Sequence, residues 1–174
     1  TGTPQAEPQS EGTTFSYKVI SFTIPKGLTP GVSIEEMDEA KSFVCGMNKE
    51  KGAAFTFLQL LPDEQNNPDF LAFIYIISHK SYNEICDSWD VESMEALKVL
   101  LKTGDYSAYG PVEPLPFPNI YNARQMYHSK EKMLTFQNGT GIRFLTEFHQ
   151  DAAVPSTSAL RYVFAGMTED ENYI

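Results

Sequence analysis

The sequence is poor in positive charge and contains no long apolar segment. Its 13 Lys and Arg residues stand against 23 Asp and Glu residues, so the formal net charge of the 174-residue chain is −10 at pH 7. A surface of that sign repels phosphate backbones, which disfavours general nucleic-acid binding. No apolar run approaches the roughly 18 residues that a membrane-spanning helix needs, so the sequence predicts no transmembrane segment.

The short motifs that mark common active sites are absent as well. The chain has no G-x-S-x-G, H-E-x-x-H, Walker or C-x-x-C sequence. The glycines at Gly139–Gly141 lie between two predicted strands and not ahead of a helix, so we do not expect them to bind phosphate. The three histidines, His79, His128 and His149, lack the local spacing of a zinc site, and no turn matches a calcium loop. The sequence therefore predicts no metal and no cofactor.

Cysteine is scarce too, since only Cys45 and Cys86 are present. In a secreted protein these two residues allow a single disulfide. It would close a loop of about 40 residues and contribute roughly 4 kcal/mol in the chain-entropy model. The alternative is a pair of buried free thiols, and the sequence leaves both states open.

The overall composition of the chain, 41% hydrophobic and 13% aromatic, suits a globular domain with a hydrophobic core. We expect a flexible N-terminal linker over 1–14, because these residues are small and polar, followed by a single domain over 15–174. The predicted fold class is α+β, with a mainly antiparallel sheet and one clear helix packed on it at about 91–102. A second, short helix at about 34–43 is also compatible with the pattern.

Capping signals locate the two predicted helices. Asp90 is placed to cap the longer helix, Trp89 and Met94 to form its hydrophobic staple, and Gly104 to end it in the left-handed conformation. For the shorter helix, Ser33–Glu36 fits a capping box, although the apolar stripe that follows it is thin.

Alternating apolar residues predict the strands. Phe15–Ile24 is interpreted as one strand, and a phase slip within it indicates a bulge or burial on both faces. Lys132–Gln137 and Ile142–Phe148 flank Asn138-Gly139, which predicts a hairpin whose two turn residues have positive φ. Further strands are predicted at Ala53–Leu61, Phe70–Ser78 and Leu160–Met167.

Part of the sequence resembles a group of uncharacterised bacterial secreted proteins and lipoproteins. The segments concerned are NARQMYH (122–128), LTFQNGTGIRFLT (134–146) and YVFAGMTED (162–170). The group's pattern is roughly LPFLPxxNAxQxxHAxxxxLxFQNGxGxRFLTQ followed by YxFQGLTxDGxYYV. The resemblance covers about 70–174, although Ala165 replaces the group's Gln and Glu171-Asn172 replace its Gly. It implies a location outside the cell or in the bacterial envelope, and no defined activity.

Three residues in this block are candidate ligand-binding residues: Arg124, His128 and Arg143. Strand alternation places Arg143 on the face opposite its apolar neighbours, and Arg124 lies a short distance upstream. The two arginines could bind a carboxylate, either the chain's own Glu147 or that of an anionic ligand. Glu147 itself is expected to face solvent.

These observations favour a non-catalytic extracellular or cell-envelope protein, acting as a structural or binding module for an unknown ligand. The alternative is a secreted hydrolase acting on cell-wall or sugar polymers, which would need a cleft with two inward carboxylates. A small-molecule binding protein would instead need an enclosed apolar pocket.

Because Leu160–Met167 has only a short segment after it to pair with, we also expect this strand to be covered by the same chain or to support a homo-oligomer through strand addition.

Overall fold

The structure of this protein is a computed structural model. The described residues are 12–17, 20–26, 31–40, 42, 44–45, 51–61, 72–110, 112–118, 120, 123–151, 154, 156–157 and 159–174. The strands are β1 (Gly12–Tyr17), β2 (Ile20–Pro25), β3 (Gly31–Met37), β4 (Phe55–Leu61), β5 (Ala72–Ile77), β6 (Arg124–Gln125), β7 (Ser129–Phe136), β8 (Gly139–Thr146), β9 (Phe148–His149) and β10 (Arg161–Thr168). The helices are α1 (His79–Ile85) and α2 (Ser88–Thr103).

The predicted α+β class, with a mainly antiparallel sheet content, is confirmed. The strands form four sheets in the orders β1-β2, β3-β4-β5, β10-β8-β7 and β6-β9. The chain contacts divide it into two compact units, one of residues 1–35 and 57–74 and the other of residues 36–56 and 75–174. No helix in the described part is both long and apolar enough to cross a membrane.

The first unit contains an antiparallel hairpin where one long strand was predicted. β1 and β2 pair with Phe15 opposite Phe22, and these two rings stack with 5.9 Å between their centroids. The phase slip in the sequence therefore marks the hairpin connection, because the side-chain alternation restarts when the chain reverses. β1 also begins at Gly12, inside the stretch that we expected to be linker.

The short helix predicted at about 34–43 is wrong, because residues 31–37 form β3 beside β4. The capping box offers at most two local hydrogen bonds, whereas strand pairing satisfies the backbone groups along the whole segment. The β-branched Val32 and Ile34 also favour the extended conformation. The remainder of the predicted helix falls partly on residues outside the described part.

The predicted hairpin of β7 and β8 is confirmed, but the geometry of its turn is not. Phe136 pairs with Gly139, so Gln137 and Asn138 form the turn. Neither Asn138 nor Gly139 has a positive φ. The expectation of a positive-φ Asn-Gly turn is therefore wrong.

Glycines in this sheet make room for aromatic rings. A Cβ atom on Gly139 would collide with the ring of Phe136, and one on Gly141 would collide with the ring of Phe164. The two rings lie edge to face, with 6.1 Å between their centroids. Close packing of rings over backbone, and not an unusual φ, explains why glycine suits these two positions.

The helix predicted at 91–102 is confirmed and begins earlier than expected. Its N-cap is Asp87, whose side chain accepts a hydrogen bond from the Asp90 amide at 3.3 Å. Asp90 is therefore inside the first turn, where it is buried. Gly104 ends the helix with φ 67°, in the left-handed conformation that the sequence predicts.

α2 packs its apolar stripe against the C-terminal sheet. Met94 and Leu97 are fully buried on the helix, and Ile142 and Phe144 are fully buried on β8. α2 contacts both β8 and β10. These contacts form the core of the second unit.

As expected, the C-terminal residues turn back to the end of β10, where the Tyr173 carbonyl accepts a hydrogen bond from the Thr168 amide at 3.1 Å, and they also pair with the end of β5. Ile174 exchanges two backbone hydrogen bonds with Ile77, at 2.9 and 3.0 Å. Glu171 forms ion pairs with Lys98 and Lys102 of α2. In the described part of the chain, β10 therefore remains an edge strand of its sheet.

Candidate functional site

A groove of about 1050 Å³ lies in the second unit, beside the N-terminal end of α2. Three segments form its walls: the first turns of α2, the proline-rich segment 109–118, and β6 with the residues around it. The side chains that matter for its chemistry are Trp89, Glu92, Tyr109, Phe117, Arg124 and Gln125.

The proline-rich segment is held against α2 by a pair of hydrogen bonds. The Ser93 hydroxyl donates to the Phe117 carbonyl at 3.2 Å and accepts from the Phe117 amide at 3.4 Å. The prolines at 114, 116 and 118 restrict the segment to extended conformations. The described residues of this wall, 109–110 and 112–118, therefore have a defined position although none of them belongs to a helix or strand.

Trp89 lies on the groove in the first turn of α2, and 78% of its surface is exposed. The hydrophobic staple predicted for it is wrong, because the helix begins at Ser88 and Trp89 is a helical residue with no buried position. A large aromatic ring left exposed beside a groove offers a flat apolar surface to a ligand.

Gln125 forms part of the opposite wall. It lies in β6, paired with Phe148 of β9, and only 6% of its surface is exposed. Its side-chain Nε2 and Oε1 are buried and have no hydrogen-bond partner among the residues that the structure describes. An unpartnered buried amide lowers stability, typically by about 1–3 kcal/mol, so these two atoms are candidates for a further hydrogen-bond partner.

The groove carries charges of both signs. Arg124 and Glu92 are exposed, and Asp90 is buried beside them in the lining. One cation among two acidic residues, on a chain of net charge −10, does not produce the positive potential that anionic polymers need.

Of the three predicted site residues, only Arg124 lines this groove. His128 is buried, and its two ring nitrogens contact Glu131 and the Gly110 carbonyl, so it holds the segment after α2 in place. Arg143 lies on the outer surface of the C-terminal sheet, with its guanidinium 5.6 Å from the centre of the Tyr162 ring.

Glu147 is buried, contrary to the expectation that it faces solvent. It is 1% exposed and accepts hydrogen bonds from the Tyr127 hydroxyl at 3.2 Å, the Ser156 amide at 2.9 Å and the His149 ring at 2.9 Å. The bond from His149 is the largest of the effects that lower the pKa of Glu147. β8 ends at Thr146, so strand alternation does not apply to Glu147. Among the described residues, neither Arg124 nor Arg143 forms an ion pair with Glu147.

Cys45 and Cys86 form a disulfide in the structure, with their Cα atoms 5.2 Å apart. The bond joins the segment before β4 to the junction between α1 and α2. Asp90 lies next to the disulfide. In the described part of the chain, Cys45, Cys86 and Asp90 are the one group of three or more Cys, His, Asp or Glu residues whose potential metal-ligand atoms lie close together. Because the two sulfurs are bonded to each other, the group serves here as a structural link.

No protein-family model matches this sequence, and no match was found among curated proteins or among solved structures. The interpretation of the groove therefore depends on its own geometry. Sequence reasoning identified Arg124 but missed Trp89 and Gln125 as site residues. Their role becomes visible only when α2 and β6 are brought together in the fold.

Proposed function

We propose that this protein is a non-catalytic binding module that acts outside the cell or in the cell envelope, and that the groove beside α2 is its ligand site. The observation that carries the proposal is the combination of an exposed Trp89 with a buried, unpartnered Gln125 in one groove. Binding sites combine apolar contact surface with a few polar groups that fix orientation, and this groove has both.

The envelope or extracellular location rests on two further observations. One is the resemblance of about residues 70–174 to bacterial secreted proteins and lipoproteins. The other is the Cys45–Cys86 disulfide, since disulfides persist mainly in oxidising compartments.

A secreted hydrolase is the second candidate, because Asp90 and Glu92 both line the groove. A hydrolase would need a carboxyl group with a raised pKa as its general acid. The pKa values of Asp105, Glu147 and Glu171 are lowered by hydrogen bonds and ion pairs, and none of these three residues lines the groove. Product analysis therefore has to distinguish binding from hydrolysis.

The proposal is tested by screening oligosaccharides and peptides for binding to the wild type and to Trp89→Ala, with product analysis on the same samples. We expect at least one probe to bind the wild type, to bind Trp89→Ala far more weakly, and to be recovered intact. Val99→Ala is the matched control, because Val99 is 60% exposed on the same helix but does not line the groove. Cleaved products would support the hydrolase instead.

Self-association through β10 belongs to the same proposal. β10 is an edge strand in the described part, and its Tyr162 and Phe164 are 68% and 49% exposed. A second copy of the chain could add a strand there. Light scattering coupled to size-exclusion chromatography should show a mass that rises with concentration, and less so for Tyr162→Lys than for the control Val112→Lys. A constant monomer mass at high concentration would exclude this arrangement.

A further inference from the structure

We infer that the ligand of this groove is a neutral oligosaccharide, stacked on Trp89 and hydrogen-bonded by the side-chain amide of Gln125. The inference rests on the proposed binding function and gives its ligand class. It is carried by the kind of hydrogen-bond partner that Gln125 requires, by the exposed ring of Trp89 and by the charge of the groove.

The Gln125 amide needs a partner that can both donate and accept. Its Nε2 is a donor and its Oε1 an acceptor, and neither is satisfied among the described residues. A carboxylate or phosphate only accepts, and a lysine or arginine side chain only donates. An ordinary peptide backbone offers both groups but no flat apolar face for Trp89, whereas proline offers an apolar ring face but lacks the backbone N–H. Neighbouring sugar hydroxyls donate and accept at once, so they satisfy both amide atoms.

Trp89 supplies the complementary apolar contact. A pyranose ring has polar hydroxyl edges and an apolar face of C–H groups, and that face fits flat against an exposed indole. Tyr109 and Phe117 extend the aromatic lining along the groove. The groove volume of about 1050 Å³ exceeds what one sugar ring occupies, so the groove has room for several sugar units.

The charge distribution favours a ligand without net charge. Glu92 is exposed and Asp90 is buried in the lining, against the single cation Arg124. A polyuronate or other polyanion would meet repulsion there and from the net charge of −10. The exposed Arg124 and Gln150 remain able to hydrogen-bond sugar hydroxyls.

The Gln125 amide is covered in the free protein, so a ligand has to displace the atoms over it in order to reach it. Binding should therefore depend on Gln125 as well as on Trp89. Removal of one ligand hydrogen bond typically weakens binding by about tenfold. We expect at least that loss for Gln125→Leu, and a similar or greater loss for Trp89→Ala.

The test is isothermal titration calorimetry of the full chain with cellohexaose, xylohexaose, chitohexaose and maltohexaose, and with hexagalacturonate and a hexaproline peptide as comparison ligands. We expect one or more of the four neutral sugars to bind. Gln125→Leu and Trp89→Ala should each weaken that binding about tenfold or more. The control Gln137→Leu, in the exposed β7–β8 turn, should leave it unchanged.

The outcomes separate the two levels of the proposal. If only the peptide or the acidic sugar binds, and Trp89→Ala abolishes that binding, the groove is a ligand site but the neutral-saccharide inference is wrong. If a neutral sugar binds equally well to both groove variants, the site lies elsewhere and both proposals fail. If Gln125→Leu alone leaves neutral-sugar binding unchanged, the role assigned to its amide is overturned.

Discussion

The link between Cys45 and Cys86 should supply a large part of the stability of the second unit. The two residues are separated by 41 positions in the sequence. In the chain-entropy model, a loop of that length removes enough freedom from the unfolded chain to stabilise the fold by about 4 kcal/mol. For a protein of this size that corresponds to a melting temperature difference of roughly 10 °C.

The double variant Cys45→Ala/Cys86→Ala removes the link without leaving a single reactive thiol. Cys45 has φ 58°, a strained value for Cys and Ala alike, so the substitution leaves the backbone cost nearly unchanged. We expect urea unfolding, followed by circular dichroism, to show the wild type more stable by about 4 kcal/mol, with reductant abolishing the difference. Equal stability of oxidised wild type and double variant, or two titratable thiols in the denatured, unreduced protein, would refute this account.

Three further predictions concern other parts of the fold. Gly141→Val should destabilise the protein by about 1–3 kcal/mol in urea unfolding, because the new side chain collides with the Phe164 ring, whereas Gly110→Ala should be neutral because its Cβ would make only ordinary contacts with Glu113. Glu171 has its pKa lowered from 4.5 to about 2 by the two lysines of α2, so its stabilising effect is present above pH 4.5 and disappears as the pH falls to 2. The stability gap between wild type and Glu171→Gln should therefore close over that range, and a gap independent of pH would contradict the ion pairs. Gln125→Leu should raise the stability of the free protein by about 1–3 kcal/mol, and a lower melting temperature would show that the amide has partners in the fold.

The elements that could be predicted from sequence are those set by local signals. The helix α2 combines a continuous apolar stripe with Gly104, whose missing Cβ permits the left-handed end. The β7–β8 hairpin likewise follows from alternation on both sides of a short turn. Residues 34–37 show the limit of such signals. There a local capping box competes with strand pairing to a distant segment, and the distant pairing prevails.

The candidate site could be predicted only in part, because its residues meet through tertiary contacts. Arg124 could be predicted as a candidate from the sequence, since it lies in the segment 122–128 that resembles the bacterial secreted proteins. The sequence assigns Trp89 to a helix cap, because it predicts the N-cap at Asp90, whereas the N-cap is Asp87. For Gln125 no local signal exists, since its lack of a hydrogen-bond partner is a property of the folded surroundings.

The fluorescence of Trp89 tests the central claim most directly, because Trp89 is the single tryptophan of the sequence and lies on the groove. Its emission should be easily quenched by acrylamide in the free protein, since 78% of its surface is exposed. The account predicts that a neutral hexasaccharide from the panel shifts the emission to shorter wavelength and protects it from acrylamide, saturably and with the affinity found by calorimetry. Binding seen by calorimetry with no change in emission or quenching would contradict the claim that this groove is the ligand site.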